Sequence, residues 1–208
     1  PDQAVLGCVG RLCEQKNQLF LVDVLAAMPQ NARLLLVGED DGDGSYEAAL
    51  RRRACELGAQ DRVCLHGRTD DVASLYQAMD VLCVPSTFEA LGIVAVEGQA
   101  AGLPVVASTA VPPEAHAGGV MNRIPFDVSQ WAAALAVAPA DPASRSKGAG
   151  RVTGAGYDMH AIAAEVLGAY GKDESIGANR SLASSSSNAG DASCDTSNLV
   201  SVIVPVYN

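Results

Sequence analysis

Aromatic side chains are scarce in this chain. One Trp, three Phe and five Tyr occur among 208 residues, although 49% of the residues are hydrophobic. A core of ordinary size must therefore be built from Ala, Val and Leu. Positive charge is short as well: 14 Lys and Arg face 24 Asp and Glu, a formal net charge of -10. That balance disfavours general binding to nucleic acid or to an anionic membrane surface, while leaving room for a local basic pocket around a small anion. No run of eighteen apolar residues suggests a membrane span, and no signal peptide is visible. The six cysteines include no C-x-x-C pair. Cys8, Cys64 and Cys83 sit inside apolar runs and are expected to be small buried residues in a reducing compartment.

Several catalytic signatures are missing too. No G-x-G-x-x-G or G-x-S-x-G occurs, which argues against a dinucleotide enzyme and against a nucleophile elbow. His66, His116 and His160 are scattered, and each reads as structural or exposed rather than as a metal ligand. "EDDGDGSYEAAL" imitates a calcium loop at Glu39, Asp41, Asp43 and Gly44. Its twelfth position is Leu50 where a bidentate Glu is needed, so it is predicted to be an acidic turn.

What is present is a regular alternation. "AVLGCVG", "ARLLLVG", "RVCLHG", "VLCVPS" and "PVVAS" are short, nearly continuous apolar runs that end at Gly, Ser or a turn. Such runs suit parallel strands covered on both faces. Between them lie helical patterns. Phe20, Val24, Ala27 and Met28 share one face behind Asn17, and Val72, Leu75, Tyr76 and Met79 share another behind the N-cap types Asp70 and Asp71. Met159, Ile162, Ala163, Val166 and Tyr170 repeat the pattern behind Asp158. The order predicts an α/β fold, a Rossmann-like doubly wound parallel sheet. Ligands of such sheets bind beyond the carboxyl ends of the strands. "GRLCEQKN", "GEDDGDG", "HGRTDD" and "PSTFEALG" each follow a strand directly and belong to that rim.

Composition changes after Lys172. Residues 173–198 are polar and rich in Ser, Ala and Gly, the composition of a flexible linker. Residues 199–208, "LVSVIVPVYN", restart as a strong strand. They are expected to dock as an extra strand or to open a second domain. The chain begins "PDQAVLG" without an initiator Met and is expected to be part of a longer protein.

The rim carries the chemistry. Arg11 follows a strand at Gly10, and Lys16 stands just before a helix capped by Asn17. Two cations at that spacing can clasp a diphosphate, or can be ordinary surface charges. Gly92 opens the helix "IVAVEGQAA", whose free amides form a second place for an anion. Glu89 falls in the strand-to-helix loop and Glu97 in the second turn of that helix. A carboxylate can hold a vicinal diol with both oxygens, which suits a sugar or ribose better than proton transfer. Taken singly, Glu97 reads better as a solvated helix residue and Glu89 as a loop charge.

Together these residues resemble a family. The order Gly10-Arg11, Lys16-Asn17, "HGRTDDVASLYQAMDVLCVPS", Glu89-x7-Glu97 and "AAGLPVVAS" is similar to glycosyltransferase family four, in the carboxyl-terminal, donor-binding half of its GT-B fold. The likeness runs from residue 4 to about 171, so a donor-binding domain is expected over 1–172. It implies that Arg11 and Lys16 grip the diphosphate of a nucleotide-sugar, and that Glu97 binds the ribose hydroxyls. Glu89 would contact the transferred sugar beside the amides of Leu91 and Gly92, and Gly38 and Arg68 would lie near the base. Arg11, Lys16 and Glu89 would be the catalytic set, with Gly10 completing the donor loop. The implied reaction is retaining, metal-independent transfer without a cofactor, from a donor that is most often UDP-linked in this family. The acceptor would be a glycan or a lipid-linked molecule, bound through an amino-terminal domain not contained in this chain, without which residues 1–172 are expected to be inactive. The setting implied is cytoplasmic, with peripheral association at the inner membrane face open for the full-length protein. A non-catalytic scaffold subunit and a nucleotide-sugar epimerase on the same fold remain as alternatives. Ala90-Leu91, Gly98-Gln99 and "TAVPPE" depart from the residues usual in the family. The tail "VSVIVPVYN" resembles the opening strand of family-two, GT-A type glycosyltransferases.

Overall fold

The structure is a computed structural model that describes residues 3–40, 42–137 and 142–171. The expected linker at 173–198 and the expected strand at 199–208 lie outside the described residues. The strands are β1 (Ala4–Val9), β2 (Ala32–Val37), β3 (Val63–Gly67), β4 (Val81–Val84), β5 (Val105–Ser108) and β6 (Met121–Ile124). They form one parallel sheet in the order β3-β2-β1-β4-β5-β6. Strand order reverses between β1 and β4, which is the switch point where doubly wound sheets open a crevice. The helices are α1 (Gln18–Ala27), α2 (Ser45–Glu56), α3 (Val72–Gln77), α4 (Ile93–Ala100), α5 (Val128–Ala136), α6 (Pro142–Arg145), α7 (Gly148–Gly154) and α8 (Met159–Gly171). One compact unit runs to Ala155. A second begins at Gly156, and its described helix is α8.

The continuous apolar strands have the expected cause. Val81 and Cys83 of β4 pack into one core cluster with Leu6, Leu21, Leu25, Leu34, Leu36 and Trp131. Leu82 and Val84 of the same strand pack into the other, with Val94, Ala95, Leu103 and Val111. Alternate residues face opposite layers, so every position of the strand must be apolar. Each fully buried aliphatic side chain contributes roughly 1.5–3 kcal/mol. Gly7 has a packing reason: a Cβ there would lie 2.0 Å from Met79 Sδ. Three of the nine aromatics meet in one place. Phe20 meets Phe126 and Trp131 edge-on, each pair with ring centroids 5.3 Å apart.

Some local expectations change. β6 has no continuous apolar run; it is an edge strand whose middle residues, Asn122 and Arg123, are exposed. Helix α5 starts where Asp127 Oδ1 accepts the Gln130 amide at 2.8 Å, and it buries Trp131 and Leu135. Helix α1 buries Leu21, Val22, Val24 and Leu25 and leaves Ala27 exposed, because it packs on the sheet and against α2 and α5 as well. Cys8 and Cys83 are buried, but Cys64 is exposed because β3 is the other edge of the sheet. The acidic turn is built from Asp40, whose carboxylate accepts the amides of Gly42, Gly44 and Glu47 and so starts α2. Leu50, the would-be twelfth ligand, is wholly buried in that helix.

Candidate functional site

The carboxyl ends of β1, β2 and β4 hold the candidate residues. After β1, Gly10 turns with φ 145°, and its amide donates to Val37 O at 2.9 Å. Gly38, at φ 144°, lies directly against it, since a Cβ on Gly38 would stand 2.0 Å from Gly10 O. Both positions therefore require glycine, and Gly38 acts by letting the Gly10-Arg11 turn lie close on the end of β2. Leu12 continues the contact by pairing with Asp40. Arg11 is exposed, and its carbonyl accepts a 2.8 Å bond from Nε2 of the buried Gln18. Asn17 does not cap α1 through its side chain. It adopts the left-handed conformation, φ 55°, which turns the chain into the helix.

The β1–α1 loop is stitched to the β4–α4 loop. Thr87 N donates to Gln15 O at 2.8 Å, and Gln15 Nε2 donates to Phe88 O at 3.0 Å. Between these bonds Lys16 Nζ reaches Glu89 Oε1 at 2.6 Å, with only 18% and 12% of the two side chains exposed. Ser86 Oγ donates to the same Glu89 oxygen at 2.7 Å, and Ser86 is itself fixed by Ser108 Oγ on its carbonyl. A charge pair this sheltered holds its geometry more firmly than a surface pair, because desolvation strengthens the attraction once the hydrogen bonds are made.

Gly92 then starts α4 with φ 76°, and its packing on Val111 and Ala115 leaves little space for a side chain. Leu91 and Ile93 beside it are exposed. Glu97 lies in the second turn of α4, half-buried, and its Oε2 accepts the Tyr76 hydroxyl at 2.7 Å. Its Oε1 is buried without a hydrogen-bond partner among the described residues. Burial raises the Glu97 carboxyl above the ordinary range, and the Tyr76 bond partly offsets that shift. Gln99, two residues further, is buried and ties α4 to the loop after β5. Its Nε2 donates to Ala95 O and Ala115 O, and its Oε1 accepts from Ala117 and Gly119.

The structure thus brings Gly10, Arg11, Lys16, Glu89, Leu91, Gly92 and Glu97 to the β1/β4 side of the rim, with Gly38 supporting them. Arg68 is exposed after edge strand β3, separated from β4 by β2 and β1, about 14 Å at ordinary strand spacing. It is not gathered into the Lys16–Glu89 cluster. Ser86, Gln15, Gln18, Tyr76 and Gln99 were not singled out from the sequence as site residues. Their polar side chains lie inside apolar or loop segments, and only the fold shows what they bond.

The family model described as "Glycosyl transferases group 1" matches residues 3–141. The chain belongs to the group 1 glycosyltransferases. Among relatives of this glycosyltransferase chain, a D-inositol 3-phosphate glycosyltransferase of Mycobacterium marinum is 36% identical over 142 residues, 65% of this chain and 30% of that protein. HepE of Anabaena, solved in complex with UDP and glucose, superposes with a TM-score of 0.69 at 26% identity, covering 82% of this chain and 48% of HepE. Sucrose-phosphate synthase from Thermosynechococcus elongatus gives a TM-score of 0.70 at 31% identity, covering 84% and 46%. The fold is accordingly the Rossmann-like half of a GT-B glycosyltransferase. The chain spans about a third of the length of the curated relatives it matches, and about half that of the solved ones. Among the described residues, no helix is long and apolar enough to cross a membrane.

Proposed function

We propose that this chain is the donor-binding half of a retaining glycosyltransferase that takes a sugar from a nucleoside diphosphate, uridine diphosphate in the first instance. The observation that carries the reading is the juxtaposition of Lys16, Glu89 and the start of α4 on one rim, with the half-buried Glu97 a helical turn beyond. The binding of UDP and glucose by HepE, which is similar over 82% of this chain, supports the choice of ligand.

In this reading Arg11 and Lys16 face the diphosphate, and Glu97 takes ribose hydroxyls. Glu89 Oε1 is already committed to Lys16 and Ser86, so Oε2 is the oxygen offered to hydroxyls of the transferred sugar. As the bond from anomeric carbon to diphosphate oxygen breaks, negative charge grows on the leaving phosphate. Lys16, Arg11 and the free amides at the start of α4 stabilise that charge more in the transition state than before it. No step is assigned to a metal or a cofactor. The acceptor hydroxyl oxygen forms the new bond on the face the diphosphate leaves, passing its proton to the departing phosphate oxygen, which retains the anomeric configuration. The acceptor, a glycan or lipid-linked molecule, is assigned to the remainder of the full-length protein, as is any peripheral membrane contact.

Calorimetric titration of the chain with UDP, GDP and ADP tests this, with Glu97→Ala as control. Selective UDP binding that weakens at least several-fold in the variant supports the donor site. Binding of none of the three nucleotides overturns it, and binding that ignores Glu97 removes the ribose assignment.

A further inference from the structure

Tyr76 comes from the short helix α3, whose ends are both fixed. Asp71 accepts the Ser74 amide at the start, and Arg145 of α6 donates to the carbonyls of Tyr76 and Met79 at the end. The tyrosine is only 5% exposed, and its ring belongs to the core cluster with Met79, Leu82, Val84 and Val94. A ring so enclosed has little freedom at either χ angle, so its hydroxyl is placed by the fold rather than by the loop around the site. That hydroxyl donates to Glu97 Oε2 at 2.7 Å. The other carboxylate oxygen, Oε1, is shielded and has no partner among the described residues.

A shielded, unpaired carboxylate oxygen is costly, and folds retain such groups chiefly where function uses them. Had Tyr76 been Phe, Glu97 would be free to turn outward and hydrate both oxygens. We propose that Tyr76 is a positioning residue for nucleoside recognition: it anchors Oε2 of Glu97, so that the carboxylate pivots about that bond and offers Oε1 to a ribose hydroxyl. The bond has a second effect in the same direction. It favours the ionised carboxylate against the burial that disfavours it, and an ionised carboxylate accepts hydrogen bonds at both oxygens. Tyr76 itself contacts no ligand in this assignment, which rests on the donor-site reading and extends it.

The test compares UDP with 2′,3′-dideoxyuridine 5′-diphosphate as titrants of the 208-residue chain, in wild type, Tyr76→Phe and Glu97→Gln. Phenylalanine keeps the ring in the core, and a thermal melt confirms that the variant is folded. The expected result is a loss of about 10-fold in UDP affinity for Tyr76→Phe, the equivalent of one charge-assisted bond, with dideoxy-UDP affinity unchanged. An equal loss for both titrants means that Tyr76 acts only through the fold and overturns the inference, as does unchanged UDP affinity. The donor-site reading fails separately. It fails if UDP does not bind at all, and its ribose assignment alone fails if UDP and its dideoxy form bind the wild type equally or if Glu97→Gln leaves UDP affinity intact.

Discussion

Lys16 Nζ and Glu89 Oε1 are 2.6 Å apart although 73 residues separate them in the chain. The contact closes the β1–α1 loop on the β4–α4 loop across the switch point of the sheet. In the proposed reaction the two residues serve opposite ends of one donor, phosphate and sugar, so their mutual bond keeps both ends of the site in register.

Lys16→Ala is expected to lower turnover of the intact enzyme by at least 100-fold, and to destabilise the chain by about 1–3 kcal/mol by leaving the Glu89 carboxylate without its counter-charge. Adding Glu89→Ala should then cost less than the separate losses suggest. A double-mutant cycle in urea measures this coupling, and additive effects would show that the pair holds nothing together.

Glu97 imposes a pH dependence on stability. Its carboxyl titrates above the ordinary range because it is buried, so the folded chain binds its proton more tightly than the unfolded chain does. Stability therefore falls as pH rises from the ordinary carboxylate range through the raised one, and stays lower above it. Glu97→Gln should melt about 1–2 °C higher than wild type at pH 7.5, with the difference vanishing near pH 4. Melting curves of both proteins over that range give the answer, and a variant less stable at neutral pH contradicts it.

Gln99→Met preserves volume but removes four hydrogen bonds to the backbone, leaving Ala115 O and the amides of Ala117 and Gly119 without their partner. A loss of about 2–4 kcal/mol is expected from chemical denaturation. Faster amide exchange should follow at Ala117 and Gly119 before the rest of the sheet is affected. Protection unchanged at both amides would mean that the loop holds itself.

Thiol labelling of the native chain should separate the cysteines by burial. Cys8 is pushed up to about 12 by burial, and Cys83 is raised for the same reason. Neither should react with a thiol reagent at pH 8, whereas the exposed Cys55 and Cys64 should do so within minutes. Peptide mass mapping after a short pulse identifies the modified sites, and early modification of Cys8 would contradict its packing under the rim.

Five strands of the sheet and the rim that follows them were legible in the sequence, because a strand covered on both faces must be apolar at every position, as Val81 to Val84 are. β6 was not, because an edge strand with Asn122 and Arg123 exposed carries no such run. Helix α2 was hidden behind the glycines and acids of its own N-terminal turn. Cys64 was misjudged for a related reason: an apolar neighbourhood in sequence does not say whether a strand is central or at an edge.

The sequence by itself determined the alternation of strand and helix and the placing of Arg11, Lys16, Glu89 and Glu97 after strands or at a helix start. These are local properties, set by side-chain period and by turn residues. Only the tertiary structure decided that Lys16 bonds Glu89, that Gly38 supports Gly10, and that Tyr76 holds one oxygen of Glu97. Those partners lie 73, 28 and 21 positions apart; the first two meet because the sheet order puts β1 between β2 and β4, and the third because α3 and α4 pack in one core layer with Leu82 and Val84 of β4. Contact across a sheet depends on the order in which strands pair, and no single segment carries that order.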